Sequence, residues 1–398
     1  YFRNHPITLL STYRELNLKN TVSSILKPDN TIIKRVEYNP RMFKGLLALG
    51  VFYETGYGLE NKREFYYLEV APGQGQYAWI DYNGDNIKQL NEFEISQFSD
   101  QAKYIRLSAP TNDYVKILHN QISGTAYLRP SVLLREKENK LAKTISRFSF
   151  QTNYRTDSKN ADNGKLYYFN PNLDINDSLV IANTNNFRQS IFFNQSSAVF
   201  GGDYSYFNNS TKQLINNGIE TRIFENHVLK WRFNFSKWFT IQAEHQKGIK
   251  GQQSLLFSNR NYLLHIFETD QKISFQPNTT FRISLNYKYT EKINHYNNSN
   301  TKAFSNNFGA ECRYTKSEKG NLTMKVDYIS IVFNGEESSA TAYEMLSGLS
   351  KGDNYTWELN YLRNLSSNIQ ISIGYNGRKT GTSSNLVHIG NGTIRAFF

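Results

Sequence analysis

Along the last third of the chain, roughly Leu229 to Phe398, apolar and polar residues alternate in long runs. Phe281, Ile283, Leu285, Tyr287 and Tyr289 are separated by Arg282, Ser284, Asn286 and Lys288. Successive side chains of a strand point to opposite faces, so this segment buries one face in something apolar and offers the other to water. The same alternation appears in Leu229, Trp231, Phe233 and Phe235, in Leu322, Met324, Val326 and Tyr328, in Tyr355, Trp357, Leu359 and Tyr361, and in Ile369, Ile371, Ile373 and Tyr375. Polar turns at Ser196-Ser197, Ser236-Lys237, Pro277-Asn278, Ser317 to Gly320 and Ser366-Ser367 divide these runs. Each interval between turns is roughly forty residues, room for two strands of about ten to fifteen residues and one longer polar loop, whereas soluble strands usually run about five or six.

Short turns on one side, long loops on the other and an outward apolar band are the pattern of a transmembrane β-barrel. Soluble β-sandwiches and lipocalin-like barrels also alternate, and strand length with an aromatic-rich apolar face tips the balance towards the membrane. The fold expected is all-β, an antiparallel transmembrane barrel of about 14 strands: about thirteen from Val115 onwards and one in the largely apolar run Met42 to Tyr57. Residues 1–40, with strand candidates at Ile7 to Tyr13 and Thr31 to Val36, read as leading strands or the remnant of a preceding region. Residues 41–114 read as a strand plus an extramembrane insertion, and 115–398 as barrel hairpins, with Thr156 to Asn186 as a long loop.

The final segment sets Leu386, His388, Gly390, Gly392, Ile394, Ala396 and Phe398 on one face, with Val387, Ile389, Asn391, Thr393, Arg395 and Phe397 on the other. This tail resembles the closing strand of bacterial outer-membrane β-barrels. Its wording, with the loop Tyr343-Glu344-Met345-Leu346 and the segment around Gly73 to Tyr114, is similar to large outer-membrane proteins of the Bacteroidetes group. The resemblance implies that Phe398 is a membrane-insertion signal read by the barrel-insertion machinery, and that the chain resides in the cell outer membrane. Its partners would be membrane lipid, lipopolysaccharide and other envelope proteins. A start at Tyr1, without an initiator Met or signal peptide, reads as a mature chain or a truncation from a larger protein.

Composition agrees. Aromatics make up 15% of the 398 residues while mean hydropathy is −0.59, and no run reaches the roughly 18 apolar residues of a spanning helix. The net charge of +12 comes from dispersed Lys and Arg, without the clustered patch or recognition helix of a nucleic-acid binder. Cys312 is the only cysteine, so no intramolecular disulfide forms, and it falls on the apolar face beside Ala310 and Tyr314. With Phe281-type residues facing lipid, Arg232, Arg282, Lys325, Arg363 and Arg395 are expected to point into the lumen, joined by Glu244, Glu311, Asp327 and Glu358. Such an interior favours anionic solutes or an acidic plug, unless the charges pair across strands, which is the simpler expectation.

The stretch richest in metal-type oxygen donors runs from Asp81 to Glu94. Calcium takes six to eight oxygens, and the loop of helix–loop–helix calcium proteins supplies them from positions 1, 3, 5, 7, 9 and 12. Counted from Asp81, these are Asp81, Asn83, Asp85, the Ile87 carbonyl, Gln89 and Glu92, with Glu94 a rival for the last place. Asn86 stands where Gly is usual, and Asn tolerates the left-handed conformation needed there. Gln89 to Ser99 is expected to form a short helix. The nearby Pro72-Gly73-Gln74-Gly75 lacks the third Gly and the Lys-Ser/Thr of a phosphate loop and reads as a turn.

None of the seven His residues sits in a recognisable catalytic motif. The expected function is therefore non-enzymatic: a barrel in transport, protein secretion or envelope assembly. The alternatives are a barrel-anchored surface binding or adhesion protein that conducts nothing, and a soluble secreted β protein binding carbohydrate.

Overall fold

The computed structural model describes residues 7–16, 29–161, 179–215, 218–255, 257–316, 319–381 and 386–397. Nineteen strands form one sheet. They are β1 (Ile7–Leu16), β2 (Asp29–Tyr38), β3 (Arg41–Met42), β4 (Leu47–Glu69), β5 (Tyr77–Trp79), β6 (Phe93–Ile95), β7 (Tyr104–Leu128), β8 (Phe148–Ala161), β9 (Val180–Phe193) and β10 (Phe200–Ile215). They continue as β11 (Gly218–Asn234), β12 (Phe239–Ser254), β13 (Tyr262–Phe275), β14 (Phe281–Asn294), β15 (Lys302–Lys316), β16 (Gly320–Phe333), β17 (Gly352–Asn364), β18 (Ile369–Lys379) and β19 (Leu386–Ala396). Three short helices, α1 (Ser131–Leu134), α2 (Lys140–Ile145) and α3 (Ala340–Leu346), lie in connections.

Three of the nineteen strands, β3, β5 and β6, are only two or three residues long; the remaining sixteen, each of ten residues or more, pair antiparallel in the order β1-β2-β4-β7-β8 and then consecutively to β19. Among the described residues no pairing joins β1 to β19. The strands expected from Val115 onwards are β7 to β19, the strand expected over Met42 to Tyr57 begins as β4 only at Leu47, after a 3-10 turn at Phe43–Gly45, and β1 and β2 extend the same ladder. The 1–40 region therefore contributes to the sheet itself. The Thr156 to Asn186 loop is a correction: β8 continues to Ala161 and β9 begins at Val180, while the centre of that stretch lies outside the described residues, as do two residues of the Ser317 turn. Thr156, Ser158 and Asn160 are buried on one face of β8. An apolar face marks a strand only where its surroundings are apolar, so these strand ends carry no such mark.

The ladder sorts its two faces by row. Phe233, Ile241, Ile273, Leu285, Ala310, Val326 and Trp357 are consecutive cross-strand partners over seven strands, roughly 29 Å across at about 4.8 Å per strand. Leu285 is 59% exposed and Val326 54%. One residue along, the opposite face reads Arg232, Gln242, Lys272, Asn286, Gly309, Asp327, Thr356 and Arg378. Aromatic pairs flank the apolar row. Towards the short turns, Phe148–Phe193, Phe235–Phe239 and Phe239–Phe275 pack with ring centroids 5.0, 5.4 and 4.8 Å apart. Towards the long loops, Tyr287, Phe308, Tyr328 and Tyr355 form one cross-strand row. Phe281 and Tyr287 are six residues apart on β14, roughly 20 Å along a strand.

At the long-loop end the polar face acquires a core of its own. Tyr262, Leu264, Ala303, Ile331 and Phe333 point inward there and pack on Ala342, Met345 and Leu346 of α3, with Leu264 and Ala342 at 0% exposure. Ser339 caps α3, its Oγ accepting from the Ala342 N–H at 3.1 Å, which satisfies one of the orphan donors of the first turn. Ser347 ends the helix in the left-handed region at φ 55°.

Candidate functional site

The β4–β7 pair is longer than its neighbours on either side. Among the described residues β7 pairs with β8 as far as Ile117 and β4 with β2 as far as Gly56, and residues 63–69 and 104–110 continue as a two-stranded arm after a register shift between Asn61 and Arg63. At its tip β5 and β6 form a small hairpin, Tyr77 opposite Ile95 and Trp79 opposite Phe93. Aromatic packing holds this tip to the arm. Phe93 stacks on Tyr67 at 4.0 Å and meets Tyr104 edge-on at 5.0 Å.

The Asp81 to Glu92 segment is the connection of that hairpin. Strand pairing brings its two ends together, and Ile80 N–H donates to the Glu92 carbonyl at 2.9 Å. No helix covers Gln89 to Ser99: a 3-10 turn at Leu90–Glu92 passes directly into β6. Leu90, Phe93 and Phe98 suggest helical spacing, but pairing with β5 and the aromatic contacts of Phe93 override it. Within the loop Asp81 accepts from Gly84 N–H at 2.7 Å and Asn86 N–H at 2.9 Å, Asn83 from Asp85 N–H at 2.9 Å, and Asp85 from Ile87 N–H at 2.7 Å. These turns close because Asn86 takes a φ of 58° and Gly84 a φ of 74°.

One carboxylate oxygen from each of Asp81, Asp85 and Glu92 lies within 4.8 Å of the others. Glu92 is 1% exposed. Its Oε2 accepts from Trp79 Nε1 at 2.9 Å and Gln89 N–H at 3.2 Å, while its Oε1 is buried and has no hydrogen-bond donor. Asn83 and Gln89 reach the same cluster, each amide donating to Asp85 Oδ2, at 2.9 and 2.7 Å. The Ile87 side chain is exposed. Glu94 points elsewhere, to Arg260 at 3.1 Å, and burial holds its carboxyl above the ordinary value despite that guanidinium. Of the two rivals, only Glu92 joins the cluster.

Three distant elements receive the tip. Arg260, itself buried, donates to the Phe93 carbonyl at 3.2 Å as well as to Glu94. Tyr343 Oη on α3 accepts from Gln97 N–H at 3.2 Å. Arg378 on β18 grips both oxygens of Asp100, the Nη2–Oδ2 bond being 2.7 Å, and lies over the Phe98 ring at 4.3 Å. The insertion thus lies on the polar face at its long-loop end, over β11 to β18. Sequence reasoning did not select Arg260, Tyr343 or Arg378, because each lies more than 160 residues from its partner, as the separations of 166, 246 and 278 record.

Of the basic residues expected inside, Arg232, Arg282, Lys325 and Arg395 lie on the polar face. Arg232 donates to the Ser197 carbonyl at 2.8 Å, Lys325 pairs with Asp327 at 2.9 Å, Arg282 sits opposite Arg313 and Arg395 opposite Gln370. Arg363 is a correction. It follows Leu359 and Tyr361 by two-residue steps and donates to Tyr361 Oη at 3.3 Å, so it lies on the apolar face near a turn. Of the acids expected there, Glu244 pairs across strands with Lys230 at 2.8 Å and Glu311 with Lys272 at 3.2 Å, while Glu358 accepts from the Asn360 amide; Glu268, on the same face, meets Lys288 at 2.7 Å. Cys312 sits between Ile283 and Met324 on the apolar face. Phe398 lies outside the described residues. His119 meets Asp157 at 3.2 Å, and among the described residues no Ser or Cys is hydrogen-bonded to that imidazole.

No protein-family model and no curated protein matches the chain. Among solved structures it is similar to the ferric yersiniabactin uptake receptor FyuA from Yersinia pestis, with 9% identity, a TM-score of 0.35, and coverage of 98% of this chain and 67% of that one. It is also similar to OccK9 (OpdG) of Pseudomonas aeruginosa, with 8% identity, a TM-score of 0.34 and 99% of both chains covered. A chain in the FpvAI–pyocin S2 complex matches at 9% identity and a TM-score of 0.34 over 98% of this chain, which spans 59% of that chain's length. At this level of overlap the likeness assigns no activity.

Proposed function

We propose that the chain is a non-enzymatic outer-membrane β-barrel protein, or the greater part of one, that takes part in transport across the envelope with its 70–103 insertion set over the outer mouth. The observation that carries this is the seven-strand row from Phe233 to Trp357, apolar at every position and outward-facing, beside a row of polar residues interrupted only by Gly309. Monomeric soluble proteins rarely expose contiguous apolar patches larger than a few hundred Å², whereas a hydrocarbon layer solvates such a row along its whole length. The aromatic rows on either side suit the two interfaces of a bilayer, whose girdles flank an apolar band roughly 25 Å tall. The tail and the α3 wording similar to large Bacteroidetes outer-membrane proteins add to this.

The polar face supports a conduit closed in its resting form. Several of its acids pair with bases, Glu244 with Lys230, Glu311 with Lys272 and Glu268 with Lys288, and the insertion lies over its long-loop end. Transport in this reading requires the insertion to move.

The test is heat-modifiable gel mobility of the chain purified in detergent, followed by conductance in planar bilayers. A folded form that shifts on boiling, with little conductance until the Arg378–Asp100 clamp is removed by Arg378→Ala, is the expected result. Solubility in plain buffer without a mobility shift sinks the membrane assignment. A shift with no conductance in either form favours the barrel-anchored binding protein.

A further inference from the structure

We propose that the β5–β6 connection is a calcium-binding site in which Asp81, Asn83, Asp85, the Ile87 carbonyl, Gln89 and Glu92 supply the oxygens. The proposal stands apart from the membrane reading, since the loop lies in the insertion and not in the ladder.

Three observations converge. First, three carboxylates meet within 4.8 Å, and the Lys in the loop does not neutralise them. Lys88 instead pairs with Glu69 at 2.7 Å and lies over the Tyr104 ring at 5.2 Å. Second, the buried Glu92 Oε1 has no donor. An unpartnered buried carboxylate oxygen costs several kcal/mol, roughly, unless a charge meets it, and this one belongs to the carboxylate that closes the cluster. Third, the donor set is entirely oxygen, the choice of a hard cation, and six protein oxygens with three carboxylates suit calcium better than magnesium, which usually keeps several waters and takes one or two carboxylates.

The turn that presents these groups is already formed by the Asp81, Asn83 and Asp85 bonds to main-chain N–H groups. A half-turn of the Gln89 amide exchanges its N–H donor to Asp85 for an oxygen facing the cation. Paired helices hold the ends of the familiar calcium loop; here the β5–β6 ladder does so, with Glu92 directly before Phe93, which stacks on the arm. Occupancy therefore bears on the position of Phe93 and Glu94, the residues that meet Arg260.

Trp79 makes the site measurable, because its indole donates to Glu92 and any ion there lies beside a sensitiser. Terbium(III), a hard oxygen-seeking ion, is titrated into the full chain in detergent with excitation of tryptophan. The expected result is sensitised terbium luminescence that calcium displaces well before magnesium does. Glu92→Gln and Asp85→Asn each weaken binding by roughly tenfold or more, and Glu336→Gln, which faces the same cleft, leaves it unchanged. Calorimetric titration of calcium into the same samples gives the affinity without a luminescent probe. Absence of calcium-displaceable luminescence from the folded wild-type chain, or equal affinity in Glu92→Gln, overturns the site. Displacement by magnesium at equal concentration overturns the assignment to calcium.

Discussion

The outer wall of the ladder and the mouth obey opposite rules within the same strands. Near the short turns and through the middle of β14 and β16, Leu285 and Val326 are exposed while the inward Ser284 and Asp327 are buried. A few residues further along β16 the sense reverses, and Ile331 and Phe333 turn inward onto α3. Strand geometry does not change between the two regions. What changes is which face meets an apolar neighbour, so burial follows the surroundings and not the strand.

The contrast is broken most sharply at the mouth. Arg260→Ala leaves Glu94 buried without its cation, a loss of about 3–5 kcal/mol for a broken buried pair. Hydrogen exchange should show residues 93–104 opening while the ladder amides stay protected. Leu264→Ala removes a fully buried side chain and should cost about 2–5 kcal/mol, read as increased protease cutting near α3. On the wall, Leu285→Arg should cost about 2–4 kcal/mol if that row faces hydrocarbon, measured as a lowered urea midpoint for folding into vesicles. Asn286→Arg, one residue along on the polar face, should leave that midpoint nearly unchanged; equal effects at 285 and 286 would contradict the two-faced wall. Smallest is Lys288→Gln, which removes a partly exposed ion pair worth about 0–1 kcal/mol and should shift the midpoint barely at all.

The wall was legible because alternation is local. The run from Phe281 to Tyr289 states which face is wet without reference to any other part of the chain. Arg363 was misplaced by letting a charged side chain choose its face, when the two-residue step from Tyr361 had already fixed it. At a strand end close to a turn, a long guanidinium reaches water from the outer side. The Asp81 loop was legible for the same reason as the wall, its donors being spaced within twelve residues. The choice between Glu92 and Glu94 was not, since it depends on Arg260, and nothing near Asp100 in sequence announces Arg378.

The order of synthesis gives the insertion's anchors a further meaning. Residues 70–103 are synthesised before any of Arg260, Tyr343 and Arg378, and the clamp on Asp100 waits for a strand that begins at Ile369. The loop around Asp81 needs only its own neighbours to close, while the insertion meets Arg260 first and completes its docking only when α3 and β18 are in register. A docked arm is therefore a report that assembly has run to its C-terminal strands. A chain stalled before β18 leaves the arm unclamped, with Asp100 and Phe98 open to proteases.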